Sequence, residues 1–129
     1  MSNFPSDLRY TKDHEWARID GKRAVMGITD FAVHQLGDIT LVDLPKEGES
    51  FRREQVLGTI ESVKAVSDIY SPLSGKVTKT NDPLRDSPEI LNEDCYDEGW
   101  MVELEMSNPD EAKDLMTSEE YAQYVKAQG

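Results

Sequence analysis

The sequence lacks the features that would place it in a membrane, outside the cell or on a nucleic acid. Its single cysteine, Cys95, cannot form an internal disulfide, which is typical of a reducing compartment. No apolar run approaches the roughly 20 residues of a membrane span, and residues 1–5 lack the basic start and apolar core of a signal peptide. Basic residues are also scarce, 14 against 26 acids, and a net charge of −12 disfavours nucleic acid and anionic membranes as partners. We therefore expect a cytoplasmic protein.

What is present predicts one mainly β domain. A chain of 129 residues is long enough for a single core and too short for two. Strand-forming runs at residues 14–19, 22–28, 39–44, 76–80 and 100–106 are separated by turn residues. The Asp20-Gly21 pair is a strong hairpin signal. We expect a core of about residues 8–106, with the whole of residues 1–129 in one domain.

Short helices complete the predicted fold. Thr29 or Asp30 can cap a helical turn that ends at Gly37. The run from Asn108 through Glu111 has the cap, first-turn proline and third-position acid of a helix start. Ser118 begins a second apolar stripe at helical spacing. These signals predict a C-terminal helical segment over about residues 108–128 that covers an end or edge of the sheets.

A weak internal repeat relates residues 48–52 to residues 81–85 at an offset of 33. Two similar halves would place the middle of the chain on a pseudo-symmetry axis. The alternative is that two turn-plus-strand segments match by chance.

The most informative segment is residues 57–70, which predicts a hairpin with Lys64 at its turn. Tight hairpins favour Asn-Gly, Asp-Gly or Gly-X at the tip, but this one carries Val63-Lys64. Local rules of this kind tend to fail at functional sites. The alternative is a surface lysine without a role.

The residues around Lys64 limit what it can do. A solvated lysine is an ammonium ion at neutral pH and a poor nucleophile, and Glu61 and Asp68 favour its charged form. Catalysis by Lys64 alone is therefore disfavoured, whereas an exposed lysine can be acylated by an external enzyme and then serve as a flexible tether.

Other candidate sites are weaker. His14 and His34 are too far apart to suggest a metal pair, and no second cysteine could complete a zinc site. Acidic neighbours oppose thiolate formation at Cys95. Residues 92–99 resemble a calcium loop only in acidity. Trp16 and Trp100 are best explained as core or half-buried aromatics. We predict no metal site.

Several motifs in one register resemble the H-protein family of the glycine cleavage system. They run from about Leu8 to the C-terminal helices and comprise residues 14–16 (His-Glu-Trp), 27–30 (Gly-Ile-Thr-Asp), 61–65 (Glu-Ser-Val-Lys-Ala), 67–68 (Ser-Asp), 71–75 (Ser-Pro-Leu-Ser-Gly) and 99–101 (Gly-Trp-Met). Lipoyl domains of 2-oxoacid dehydrogenases and biotin carriers have a similar design, but they typically carry Asp-Lys-Ala or Met-Lys-Met where this chain has Val-Lys-Ala.

The resemblance implies a barrel-sandwich hybrid of two small antiparallel sheets, with lipoate in amide linkage on Lys64. It also implies three partner enzymes. Glycine decarboxylase, a pyridoxal phosphate enzyme, passes an aminomethyl group to the lipoyl sulfur; an aminomethyltransferase delivers the carbon to tetrahydrofolate; and dihydrolipoamide dehydrogenase reoxidises the dithiol. The chain is then a carrier and not an enzyme, since the cofactors of several proteins supply the chemistry.

The resemblance further implies roles for four acids. Glu61 would help the lipoate-attaching enzymes to dock. Glu15 and Asp68 would receive the amine of the loaded arm in a surface cleft. Asp13 is a further candidate that departs from the family, which often has a small hydroxyl residue at this position; a carboxylate there either strengthens capture of the cation or only adds surface charge. Solvated acids without a role are the alternative for each.

The sequence also leaves open a second function from a different class. An H-like protein could accept lipoate and supply it to other apoproteins, acting as an assembly factor. A glycine-derived aminomethyl adduct would separate the two functions.

Overall fold

The computed structural model describes residues 4–128. Residues 1–3, which belong to the segment considered above for a signal peptide, and Gly129 lie outside the described range. Within residues 4–128, nine strands form two antiparallel sheets. The strands are β1 (Arg9–Tyr10), β2 (Glu15–Asp20), β3 (Arg23–Ile28), β4 (Ile39–Asp43), β5 (Ser50–Phe51), β6 (Val56–Ser62), β7 (Val66–Tyr70), β8 (Gly75–Thr80) and β9 (Val102–Met106). The helices are α1 (Asp30–Leu36), α2 (Pro83–Asp86), α3 (Ile90–Glu93), a 3-10 helix (Pro109–Asp114) and α4 (Ser118–Gln128).

The two sheets are unequal in size and share one core. The larger sheet has the order β1-β2-β3-β9-β8-β5, and the smaller has the order β4-β6-β7. Apolar side chains of both sheets meet between them, for example Leu104 of the larger and Ile60 of the smaller. Burying such side chains stabilises the fold by about 1.5–3 kcal/mol each. The prediction of a mainly β fold of two antiparallel sheets is confirmed.

The first hairpin forms where it was predicted, with its strand ends shifted by one residue. Asp20 pairs with Arg23, so the loop is Gly21-Lys22. Gly21 has φ of 61°, a conformation that glycine adopts without steric cost. At the other end of this hairpin Trp16 faces Gly27, and a Cβ on Gly27 would lie 2.8 Å from the indole. The glycine therefore makes room for a fully buried Trp16.

The C-terminal segment confirms one helix and corrects the other. Residues Pro109–Asp114 form a 3-10 helix, and the Asn108 side chain makes no capping bond. The third-position acid, Glu111, instead accepts hydrogen bonds from Ser74 N at 2.7 Å and Ser74 Oγ at 2.9 Å. The acid of the predicted capping pattern therefore makes a tertiary contact and does not cap the helix.

Helix α4 begins at Ser118 as predicted. Thr117 and Glu120 cap it reciprocally, with Glu120 N donating to Thr117 Oγ1 and Thr117 N donating to Glu120 Oε1. Tyr121 of this helix stacks on Tyr10 of β1 with ring centroids 4.7 Å apart. The helix therefore covers the edge strand of the larger sheet.

The predicted repeat is not a structural repeat. Residues 50–51 of the first copy form β5, whereas residues 83–86, which overlap the second copy, form helix α2. A proline at the start of α2 fits a helical first turn and removes an N–H that a strand would need.

Candidate functional site

The turn of the lysine hairpin (β6 and β7, residues 56–70) is closed by a side chain instead of a glycine. Strands β6 and β7 leave residues 63–65 as the turn. Ser62 Oγ accepts hydrogen bonds from Lys64 N at 3.2 Å and Ala65 N at 3.1 Å. Ser62 N also donates to Ala65 O at 2.8 Å. A serine hydroxyl thus supplies the local bonds that glycine-based turns obtain from backbone geometry.

Lys64 projects from this turn over the connection between α1 and β4. A Cβ built on Gly37 would lie 3.4 Å from Lys64 Cε and 3.6 Å from its Cδ. Val63 N donates to Asp38 O at 3.0 Å and fastens the turn to the same connection. Lys64 is exposed, and within residues 4–128 its ammonium has no ion-pair or hydrogen-bond partner. The Lys64 amine is therefore accessible to an external enzyme.

Asn92 holds the connection beneath Lys64 from the other side. Its Nδ2 donates to Gly37 O at 2.8 Å, and its Oδ1 accepts from Ile39 N at 2.9 Å. Asn92 belongs to α3, which the sequence did not predict. An acidic segment that resembled a calcium loop thus contributes the residue that supports the lysine site.

Glu61 lies on the exposed face of the smaller sheet. It pairs with Leu41 of β4 and Val66 of β7, so these three side chains share that face. Leu41 is 43% exposed, and Val63 and Val66 at the tip are 67% exposed. Lys64 is therefore bordered by an exposed surface in which apolar side chains surround the Glu61 carboxylate.

Glu15 is in a different environment, because it is only 2% exposed. Its Oε1 accepts a hydrogen bond from Thr11 Oγ1 at 2.7 Å, and its Oε2 accepts from Tyr70 N at 3.3 Å. Burial raises the pKa of Glu15 to about 7, while these two donors act against that rise. Since Tyr70 belongs to β7, Glu15 joins β2 of the larger sheet to the lysine hairpin.

Glu15 and Asp13 line one pocket of about 340 Å³, which we call the Glu15 pocket. Its lining residues are Tyr10, Thr11, Lys12, Asp13, Glu15, Arg53, Glu54, Ser71, Pro72, Asp114, Leu115 and Met116. Asp68 and Lys64 are not among them. Asp68 is exposed on β7, two residues before Tyr70.

Backbone strain is concentrated at this pocket. Within residues 4–128, the non-glycine residues with positive φ are His14 at 69° and Glu54 at 72°. Glu54 lines the pocket, and His14 lies in sequence between Asp13 and Glu15, which also line it. Each such residue costs on the order of 1–3 kcal/mol, and strain of this kind tends to occur at functional sites.

His14 is held by the C-terminal helix. Its Nδ1 lies 2.7 Å from Tyr121 OH, which is also 2.8 Å from Thr29 Oγ1, the N-cap of α1. Desolvation lowers the pKa of His14. The predicted structural role of His14 is therefore supported, and α4 is linked to both the Glu15 pocket and helix α1.

The remaining candidates lie in the core or at the surface, away from the two sites described above. Cys95 is buried, and desolvation first, then Asp30 and Asp94, raise its pKa to about 12. Trp16 is buried and donates to Cys95 O, and Trp100 is partly buried, as predicted. His34 lies at the surface, 3.5 Å from Asp30. Within the described range no cluster of three His, Cys, Asp or Glu side chains could hold a metal.

Two antiparallel sheets around one core, with an accessible lysine at a hairpin tip, define a carrier domain of the lipoyl and biotinyl type. Residues 8–128 match the family model for the glycine cleavage H-protein, and the chain belongs to that family. It is the lipoyl-carrying shuttle component of the glycine cleavage system and not a catalyst itself. Among the helices of residues 4–128, none has the length and apolar character needed to cross a membrane.

Similar proteins cover almost the whole chain. A glycine cleavage system H protein of Rubrobacter xylanophilus is 52% identical over 126 residues, which is 98% of both chains. One from Anaeromyxobacter sp. strain K is 50% identical over 125 residues, 97% of this chain and 98% of that protein. The crystal structure of a glycine cleavage system H protein from Mycobacterium marinum superposes with a TM-score of 0.88 at 35% identity, covering 95% of this chain and 99% of that one.

Proposed function

We propose that Lys64 carries the lipoyl group of this shuttle protein. The observation that supports this most strongly is an exposed lysine amine at a hairpin turn that lacks the usual glycine and is closed by the Ser62 hydroxyl. The Ser62 bonds and the Asn92 bonds hold that turn in place. Lipoate on this amine would supply a sulfur that accepts and releases the aminomethyl group at successive active sites.

The protein itself contributes the positioning of the carried group. A tether keeps the carried group at high effective concentration near each partner. We propose glycine decarboxylase, the aminomethyltransferase and dihydrolipoamide dehydrogenase as the three partners, in the cytoplasm. The net charge of −12 suits encounters with basic patches on each of them.

Glu61 is proposed to help the lipoate-attaching enzyme to dock. It is exposed, it lies on β6 three residues before Lys64, and it is bordered by Leu41 and Val66. A charge within an accessible apolar surface adds specificity and increases the association rate.

Glu15 is proposed to receive the amine of the loaded arm. Each residue of an antiparallel strand advances about 3.4 Å, so β7 leads about 14 Å from Val66 to Tyr70, whose N–H contacts Glu15. The amine is a cation, and its hydrogen bonds to a carboxylate are roughly twice as strong as neutral ones. The nearly complete burial of Glu15 excludes water from this contact.

Asp68 and Asp13 are proposed as secondary contributors. Asp68 lies on β7 between the turn and Tyr70, so it would attract the cation along the route. Asp13 is exposed at the rim of the Glu15 pocket. Both should act in the same direction as Glu15 and more weakly, because exposed charges are screened by solvent.

Incubation of the lipoylated protein with glycine, pyridoxal phosphate and glycine decarboxylase, followed by intact mass measurement, tests the proposal. A glycine-derived aminomethyl adduct that maps to Lys64 supports it. Transfer of lipoate to acyltransferase domains without such an adduct would support the lipoate-donor alternative, which the comparisons do not favour.

A further inference from the structure

Thr11 is the hydrogen-bonding centre of the loop that carries Glu15. Its Oγ1 accepts from Asp13 N at 3.2 Å and from Glu15 N at 3.2 Å, and it donates to Glu15 Oε1 at 2.7 Å. A hydroxyl has one donor hydrogen and two acceptor lone pairs. The backbone N–H groups occupy the lone pairs, so the hydrogen is committed to the carboxylate.

Among the described residues, this contact is the shorter of the two hydrogen bonds that hold the Glu15 carboxylate. The other donor, Tyr70 N, lies at 3.3 Å. Within residues 4–128 no basic side chain forms an ion pair with Glu15, since Arg53 in the same pocket is paired with Asp114 at 2.8 Å. Neutral donors alone therefore offset the cost of burying this carboxylate.

We infer that Thr11 is a positioning residue of this carrier, whose hydroxyl holds the Glu15 carboxylate in place to accept the ammonium group of the returning arm. The inference rests on the proposed role of Glu15. Thr11 itself need not touch the arm, because its only donor hydrogen already points at Glu15. The remaining lone pairs of the carboxylate are left for the incoming cation.

Several other groups face Glu15 and bear on its titration. Asp13 raises the pKa of Glu15, and His14 is its chain neighbour. Tyr121 of α4 interacts with Glu15 electrostatically, since the Glu15 charge raises the pKa of Tyr121. Lys12, Arg53, Glu54 and Asp114 line the same pocket. All of them remain when Thr11 is replaced, so a comparison of Thr11 variants isolates the hydroxyl.

The first test is an NMR titration of the Glu15 side-chain carboxyl carbon in the unlipoylated protein. Thr11→Val removes the hydroxyl at nearly constant volume and should raise the pKa of Glu15 by about one pH unit, because one hydrogen bond to a charged group is lost. Thr11→Ser should retain the wild-type titration. Thr80→Val is the matched control, since it removes a hydroxyl bond to the Asp82 carboxylate elsewhere in the protein.

The second test is the lifetime of the aminomethyl-loaded protein at pH 7. With the pKa of Glu15 one pH unit higher, the ionised fraction falls about fivefold, from about a half to about a tenth. Thr11→Val should therefore lose most of the protection that Glu15 gives, while Thr11→Ser and Thr80→Val keep it. The pH at which protection is half-maximal should rise together with the pKa of Glu15.

A purely structural role gives a different result. A loosened loop would admit water, so the pKa of Glu15 would stay the same or fall toward its ordinary value, and either outcome overturns the inference. If Thr11→Val does not fold, Thr11→Ala provides the same readout. Failure of the proposed function, seen as an unmodified Lys64 or an unprotected wild type, would not alter the titration, so the two failures are distinguishable.

Discussion

The lysine hairpin and the Glu15 pocket are built in opposite ways. The hairpin tip is exposed and unstrained, and hydrogen bonds to Ser62 and Asp38 hold its backbone. The Glu15 pocket contains a nearly inaccessible carboxylate and two strained residues, His14 and Glu54. The hairpin costs the fold little, whereas the pocket keeps an acid where its charged form is disfavoured.

The difference fits the role that we propose for each region. A lysine that several enzymes must reach has to stand free of the protein surface. A carboxylate that shelters a labile cation has to exclude water before the cation arrives, so its desolvation is included in the folding free energy. One strand, β7, connects the two regions, since it begins after the turn and ends at the Glu15 contact.

The largest expected effect is at the tip itself. Lys64→Arg keeps the charge but cannot form the lipoyl amide, so lipoylation should be abolished. Peptide mapping after incubation with a lipoate-attaching enzyme measures it, with Lys76→Arg as the control that should be modified normally. Lipoylation of the Lys64→Arg protein at another lysine would contradict the assignment.

The next largest effect is on the pH dependence of the unfolding free energy, which should change when Glu15 is replaced but not when a hairpin carboxylate is replaced. The folded pKa of Glu15, about 7, lies above its ordinary 4.5, so the folded state binds this proton more tightly, and wild-type stability falls as pH rises between these values. From pH 5 to pH 8, Glu15→Gln should lose about 2 kcal/mol less unfolding free energy than wild type.

Urea denaturation at the two pH values measures this difference. The lowered pKa of His14 acts at the acidic end in both proteins and cancels in the comparison. Glu61→Gln, an exposed carboxylate on the hairpin, is the control and should follow wild type. Equal pH dependence in Glu15→Gln and wild type would show that the Glu15 carboxylate is not held in a dry site.

Substitutions at Gly37 and Gly48 test whether the connection between α1 and β4 supports Lys64. Gly37 has φ of 76° and ψ of −145°, a conformation nearly confined to glycine, so Gly37→Ala should lower the unfolding free energy by about 2 kcal/mol and slow lipoylation. Gly48→Ala, at φ of 93° in open space, should cost similar stability and leave lipoylation unchanged. Equal lipoylation rates in both variants would argue against a supporting role for Gly37.

The smallest expected effect concerns the exposed face of the hairpin. Glu61→Ala should slow lipoylation a few-fold with little change in stability, because rim charges act mainly on the association rate. Steady-state kinetics of the lipoate-attaching enzyme at low and high salt measure it, and Glu105→Ala on β9 is the exposed control. An unchanged rate at low salt would leave Glu61 as an ordinary surface acid.

The sequence predicted the hairpin region better than the pocket. Strand-forming residues on both sides of Lys64 and the missing turn residues are local signals, and they located the tip. The supports of that tip are distant in sequence: Asn92 lies 55 residues from Gly37. No local pattern could connect them.

In the pocket, sequence reasoning named Glu15 and Asp13 through the family resemblance and missed Thr11. A threonine four residues before a glutamate is an ordinary pattern and gives no signal by itself. The contact between Thr11 and Glu15 depends on a loop in which His14 takes a positive φ. The sequence also placed Asp68 with Glu15, whereas the structure leaves Asp68 outside the pocket lining. Short elements such as β1, β5, α2 and α3 were missed because two to four residues carry no periodicity.

Protection of the anchored arm at the buried Glu15 carboxylate is what we propose for this protein. It is tested most directly by the spontaneous decay of the aminomethyl-loaded protein, followed by intact mass after the decarboxylase is removed, in wild type and Glu15→Ala. We expect Glu15→Ala to decay several-fold faster while being lipoylated at the wild-type rate, with Asp68→Ala between the two. Decay as slow in Glu15→Ala as in wild type would contradict the account and leave the protein as a tether alone.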